Sequence, residues 1–448
     1  MAALDQYIQL YNAHRDTIDN NSAPALNRLR PVAAQALAGA KLPVKGDEDY
    51  EATDLEALFA DDYGININRI NLGANPADAF RCEVPNMSTC LFFLANDVFF
   101  ASDKADHSIP EGVVISSLKQ AATTHREIVE ARYGSIADIN DPATALNTLL
   151  TQDGLFVYVP ENVRLNKPIQ LVNILNSASP LMAVRRMLIV LERGAQAQLL
   201  VCDHTQNKDV DYLASQVVEI FADNGATFDY YDIEDSSTTT RRVSTVYVNQ
   251  DDNSNVMLDG ITLRNGLTRN NYKVDLNGND AELHLLGMAI ADNNRHIDNH
   301  TVVNHIGKRS KTDELFKYVL DDNAIGAFSG LIRVAPGAEK TVAYQSNKNI
   351  CASPSAKMHS KPQLIIDCDD VKCSHGSTIG QIDKNALFYM RSRGVPEHEA
   401  RIMLMQAFMN DVIAGVRMES LKDRLRHLVE SRFGCNQASS CASCRQNQ

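Results

Sequence analysis

The chain has 448 residues, with 43 Lys plus Arg against 56 Asp plus Glu, a formal net charge of −13. With 44 % hydrophobic and 22 % charged residues, it has the composition of two or three folded domains or one long repeat fold, which excludes disorder throughout. The acidic balance argues against a protein built to grip nucleic acid or an anionic membrane, and no apolar run reaches the roughly 18 residues that span a bilayer.

The start, Met1-Ala2-Ala3-Leu4-Asp5, lacks the pattern of a secretory signal. Nine cysteines, an odd number, do not read as a disulfide framework. A cytoplasmic protein with free thiols is the expectation.

Leu4, Tyr7, Ile8, Tyr11 and Ile18 recur at helical spacing and predict a first helix. Ser22 with Pro24 opens a second, short one. Short apolar runs follow at Cys90–Leu94 and Val98–Ala101, Val113–Leu118 reads as a strand, and His125–Arg132 reads as a helix. Asp141-Pro142 starts another helix carrying Ala145, Leu146, Leu149 and Leu150. Residues 1–150 are thus expected to form a helical and mixed region.

From Gly154 the texture changes. Short runs such as Leu155–Val159, Ile169–Ile174, Gln216–Phe221, Val243–Val248, Val256–Leu263 and Phe328–Val334 alternate with Asn, Asp and Gly. No stretch holds a helical apolar period for three turns. Many short strands, polar corners and no tight sequence repeat point to a parallel β-helix over residues 151–382. Helices return after Asp383. Met405, Phe408, Met409, Val412, Ile413 and Val416 lie on one stripe, and Leu421, Leu425, Leu428 and Val429 on a second that ends near Gly434. Residues 383–434 form this helical region, and 435–448 a polar tail with Cys435, Cys441 and Cys444. That array offers three thiols, one short of a closed zinc site.

No G-x-x-x-x-G-K-[ST], no G-x-G-x-x-G after a strand and no H-E-x-x-H is present, so P-loop, dinucleotide and zincin chemistry have no support. One stretch carries the functional reading. In a strand, Cys373 and His375 point the same way, two positions apart. A thiol and an imidazole on one face suit a soft metal, iron or a sulfur species; a small core cysteine beside Val371, with a satisfied histidine, is the plainer alternative. His296 and His300 share a strand face that His305 does not, and packing along stacked coils is the simpler account of all three.

The run PQLIIDCDDVKCSHGSTIGQIDKNALFYMRSRGV closely resembles the signature of the SufD branch of the SufB/SufD family, scaffold subunits of the SUF iron–sulfur cluster assembly system. The likeness extends through HIDNHTVVNH, SKTDELFKYVLDDNAIGAFSGLIRV, EKTVAYQSNKN, LPVKGDEDYEATDL and DGLFVYVPENVRLNKPIQL. It implies a right-handed parallel β-helix between helical N- and C-terminal regions. It also implies a non-catalytic subunit that pairs with the paralogue SufB and docks two copies of the ATPase SufC, so that no nucleotide binds this chain itself. A nascent iron–sulfur cluster would pass transiently through the SufB/SufD interface. His375 would act there as a transient metal ligand completed by SufB, with Cys373 beside it. Phe388, Tyr389, Arg391 and Arg393 resemble the SufC-docking region.

The chain departs from the family pattern at Ile365, where a Glu is usual, at Tyr318, where a Gly is usual, and at Ile350-Cys351-Ala352-Ser353. It has Ser374-His375-Gly376-Ser377 where SufB-type chains carry a second carboxylate. Two other classes stay in view: a SufB-like subunit building a cluster as a homodimer, and a β-helix carbohydrate-active enzyme.

Overall fold

A computed structural model of the protein describes residues 2–70, 90–101 and 109–434. Helices α1 (Ala3–Asn20), α2 (Pro24–Asn27), α3 (Arg30–Leu37) and α4 (Leu55–Phe59) precede short strands β1 (Gly64–Ile65), β2 (Cys90–Ala95), β3 (Val98–Ala101) and β4 (Val114–Ser117). Next come α5 (Leu118–Thr124), α6 (Arg126–Arg132) and α7 (Pro142–Leu150). The apolar spacing of the first segment is realised in α1, whose Leu4, Tyr7, Tyr11 and Ile18 are buried.

Sixteen strands follow, and successive strands fall alternately into two sheets. One sheet takes β5 (Leu155–Val159), β7 (Leu181–Leu191), β9 (Tyr212–Ala222), β11 (Thr240–Gln250), β13 (Leu267–Leu276), β15 (His296–His305), β17 (Ile325–Val334) and β19 (Lys357–Ile366). The other takes β6 (Ile169–Leu175), β8 (Gln196–Thr205), β10 (Thr227–Asp235), β12 (Asn255–Arg264), β14 (Glu282–Ala291), β16 (Lys311–Leu320), β18 (Val342–Cys351) and β20 (Lys372–Gly380). Each of these strands pairs in parallel with the strand two further on. The chain therefore winds as a flattened solenoid of about eight coils.

Register, not local sequence identity, makes the core. Ile189 pairs with Ile220, Ile220 with Val248, Val248 with Val274, Val274 with Val303, Val303 with Ile332 and Ile332 with Leu364. This ladder of mostly β-branched side chains runs up the lumen within the largest core cluster. The polar corners also have a physical cause. Asn253, Asp280, Asn293 and Asp322 turn the chain with φ between 50° and 57°, a left-handed conformation that Asn and Asp tolerate better than other side-chain-bearing residues.

The first coil is closed off. β2 runs beside β6 and is backed by antiparallel β3, while β4 lies antiparallel on β5. The N-terminal helices cover the outer face of the first sheet, with Leu146 and Leu149 of α7 packed with Met182, Val184 and Leu213. At the far end α8 (Lys384–Ser392), α9 (Glu397–Gly415) and α10 (Glu419–Gly434) follow the solenoid. The two stripes read from the sequence meet the outer face of the second sheet: Met405, Met409, Val412, Ile413, Leu421, Leu425 and Val429 pack with Met257, Ile261, Leu286 and Met288. The last coil is open. Among the described residues no strand pairs with the outer edge of β19 or β20. No described helix is long and apolar enough to cross a membrane.

Candidate functional site at the open end of the solenoid

β20 pairs with β18 so that Cys373 lies over Ala343, His375 over Gln345 and Ser377 over Asn347. Ala343, Gln345 and Asn347 are buried alternate residues of β18. Their partners Cys373, His375 and Ser377 therefore form the lumen-facing row of the last coil. The sequence expectation that Cys373 and His375 share a face agrees with this register. The two differ in exposure. Cys373 is half-buried and packs, with Val371, against the main core; His375 is exposed. Burial holds the Cys373 thiol above its usual pKa, outweighing a backbone hydrogen bond at Ala343, and the nearby Cys368 adds to the rise. Cys373 is accordingly a neutral thiol rather than a preformed thiolate nucleophile.

Beneath this row the lumen changes character. Thr301 Oγ1 donates to Glu314 Oε1 at 2.7 Å and Gln345 Nε2 donates to Glu314 Oε2 at 2.9 Å. Glu314 is fully buried, and that burial pushes its carboxyl up to about 7 despite both bonds. Asn347 Oδ1 accepts from Asn349 Nδ2 at 2.6 Å and from Ser360 Oγ at 2.7 Å, and Ser360 Oγ meets Ser377 Oγ at 2.6 Å. Beside the Val and Ile ladder, the lumen-facing rows of the last three coils also present amides, hydroxyls and a carboxyl. Sequence reasoning missed Thr301, Glu314 and Gln345. The signal was the alternation Gln345, Asn347, Asn349, a polar row with the period of a strand.

The histidines at 296–305 divide as their spacing predicts. His296 and His300 lie on the outer face of β15, where His296 Nε2 meets Thr53 Oγ1 at 2.9 Å and His300 lies 3.6 Å from Asp49. Thr53 also donates to Asp298 at 2.5 Å. This docks the loop around Asp49–Thr53 on the solenoid beside a cavity of about 210 Å³ lined by Glu51, Asp298, Ser329, His359 and Lys361. His305 points into the lumen, bonded to Ser310 at 2.7 Å and Thr312 at 3.0 Å, and burial lowers its pKa to about 4. Among the described residues no three His, Cys, Asp or Glu side chains are gathered as a metal site. Cys435, Cys441 and Cys444 lie outside the described residues.

The aromatic–arginine segment lies on α8, whose N-terminus is capped by Asp383 accepting from Asn385 N at 2.8 Å. No residue of α8 is buried. Phe388 is 74 % exposed and Tyr389 59 %, so Phe388 does not close the end of the solenoid. Arg393 stacks over the Tyr389 ring at 5.2 Å, and Arg391 pairs with Glu397 at 3.0 Å.

Comparison with known proteins agrees with this architecture. Residues 173–408 match the family described as "SUF system FeS cluster assembly, SufBD core domain", and residues 1–171 match its N-terminal region. A SufBD family iron–sulfur cluster assembly protein of Synechocystis is 29 % identical over 413 residues, 90 % of each chain. The iron–sulfur cluster assembly protein SufD of Bacillus subtilis is 26 % identical over 333 residues, 71 % of this chain and 74 % of its own. SufD of Escherichia coli is 36 % identical over 163 residues, 36 % of this chain and 38 % of its own. A β-solenoid core between helical regions, with the CSHG row on its terminal strand, is what these matched residues fold into, and the chain belongs to the SufBD family of SUF iron–sulfur cluster assembly proteins.

Proposed function

We propose that the chain is a non-catalytic SufD-type scaffold subunit whose open solenoid end joins a SufB-type paralogue, and that a nascent iron–sulfur cluster forms across that joint. The observation that carries this reading is a lumen-facing row of Cys373 and His375 on a strand whose outer edge has no partner among the described residues. An edge strand offers backbone donors and acceptors to another strand. Among the described residues no complete ligand set is gathered, so iron held at His375 would take its remaining ligands from the partner. A neutral imidazole suits iron, and the protonated Cys373 thiol suits a half-buried place at the rim of the joint.

In this reading residues 151–382 are the β-helix core and 383–434 the helical region that docks the SufC ATPase. Phe388 and Tyr389 are its exposed anchors, because exposed aromatic rings beside arginines are favoured contacts at interfaces. The chain itself binds no nucleotide, nucleic acid or membrane and works in the cytoplasm. Without its paralogue, the free edge would allow self-pairing into a homodimer.

The test is iron and acid-labile sulfide, assayed anaerobically in the chain co-expressed with its SufB and SufC, wild type beside His375→Ala. The expected result is an intact complex that has lost its cluster. Unchanged iron and sulfide would remove His375 from the assembly site. Iron and sulfide in this chain purified alone would favour the SufB-like, homodimeric reading.

A further inference from the structure

Gln345 sits directly beneath His375 in the parallel register of β18 and β20. It is 3 % exposed. Its amide nitrogen is committed, donating to Glu314 at 2.9 Å. Its carbonyl oxygen is buried and has no hydrogen-bond partner. A buried acceptor left without a donor loses its hydration with nothing in return, and such an atom in a native protein calls for a specific explanation. The amide is also held in place from the opposite sheet. A Cβ at Gly330 would stand 2.4 Å from Gln345 Nε2, so the glycine makes room for this side chain in the lumen. Thr301 completes the support by holding the other oxygen of Glu314.

The residue paired with Gln345 on the next strand, and so next to it in the lumen-facing row, is His375. We infer that Gln345 is a positioning residue for His375, its side-chain carbonyl accepting one ring N–H so that the other ring nitrogen faces the open end with its lone pair free. The inference rests on the reading of His375 given above and adds how the imidazole is presented. A histidine that ligates a metal commonly donates its second N–H to a carbonyl or carboxylate, which fixes both tautomer and ring orientation. Here Thr301, Glu314 and Gln345 form a chain of hydrogen bonds whose open end is an acceptor, the polarity that a neutral imidazole N–H requires.

The experiment uses the full chain with ¹⁵N-labelled histidine, observing imidazole nitrogens at pH 8, with His375→Gln identifying the resonances. A single tautomer is expected for His375 in the wild type, one nitrogen protonated and one bare. Gln345→Leu should average the two nitrogens, and Gln345→Glu, which keeps an acceptor oxygen, should restore a fixed tautomer. If Gln345→Leu does not fold, the wild-type spectrum still decides, and Gln345→Asn serves as the shortened variant. In the co-expressed complex, Gln345→Leu should lower retained iron by roughly tenfold. Averaged nitrogens in the wild type, or no change in Gln345→Leu, would overturn the inference. Its failure is separable from that of the proposed function. His375→Ala that loses the cluster while the tautomer is averaged removes only Gln345, and a fixed tautomer with an unaffected cluster removes only the role of His375.

Discussion

The second and third coils and the eighth coil share one winding and one register, yet they end in opposite conditions. β7 and β9 are buried at every one of their residues. Their inner rows meet the lumen, and their outer rows lie beneath the N-terminal region, where Asn147 of α7 donates to Arg185 O and Ser215 O at 3.1 and 3.0 Å. β19 and β20 have the same parallel pairing on one side and no described strand on the other, leaving Ile365, Ile366 and Ile379 between 41 % and 54 % exposed. In a solenoid each coil is stabilised by its neighbours. What distinguishes a covered coil from an open coil is therefore what lies on it, and the contrast can be attacked at both ends.

The largest effect is expected under the N-terminal region. Arg186 of β7 and Glu219 of β9 form a fully buried ion pair on the first sheet's outer face, and Arg186 also lies 3.2 Å from Thr148 Oγ1 of α7 and 4.7 Å over the Tyr133 ring. Arg186→Leu leaves a buried carboxylate whose remaining bond is from Gly134 N at 3.0 Å. Removing one partner of a buried pair costs about 3–5 kcal/mol. Urea unfolding should show that loss, and the double replacement Arg186→Leu, Glu219→Leu should recover much of it. A single variant as stable as wild type would mean that the region around α7 does not clamp the early coils.

The next effect has the opposite sign and lies under the C-terminal helices. Asp259 of β12 is 0 % exposed, and neither of its carboxyl oxygens has a hydrogen-bond partner. Its strand neighbours Met257 and Ile261 belong to the apolar layer beneath α9 and α10. Burial alone raises its pKa to about 8, against about 3.9 for an unfolded aspartate. The folded state binds this proton more tightly. Its stability contribution is thus complete below pH 4 and is lost as pH rises through 8. Asp259→Leu should raise stability at pH 7 by on the order of 3 kcal/mol and flatten the pH profile between 4 and 8. Parallel profiles for the two proteins would show that Asp259 is not carrying that proton.

Much of the architecture was legible for a simple reason. Ile220, Val248 and Ile332 sit in runs of strand-forming residues, and the Asn and Asp corners mark the gaps. The strands that escaped were β10, β13 and β16, because their lumen-facing rows carry Asp232, Glu234, Asn270 and Glu314. A polar residue facing inward breaks the apolar alternation by which a half-buried strand is read. The same masking hid Gln345, which looks solvent-facing in sequence and lies in the lumen. Cys373 and His375 were legible as one row since a spacing of two suffices. The docking of Thr53 on His296 and Asp298 was not, since it joins segments more than two hundred residues apart.

The smallest effect on the fold is expected at the open end, and there the contrast sharpens. Ile366 and Ile379 lie on the terminal strands, partly exposed and with no described strand paired beyond them. Ile366→Lys or Ile379→Lys removes little packing, and replacements at such places change stability by about 0.5 kcal/mol or less. A lysine on an edge strand nevertheless opposes addition of another strand, because its charge would be buried in the new joint. The chain should keep its thermal midpoint while retention of the SufB-type partner falls, and any self-association seen by sedimentation should disappear. A large drop in the midpoint would show that the eighth coil is closed by packing like the second. A partner retained as well as by wild type would place the joint elsewhere. A stable chain that has lost its partner is the outcome that separates the two coils, since the same kind of substitution beneath the N-terminal region would have unfolded the protein before any partner was lost.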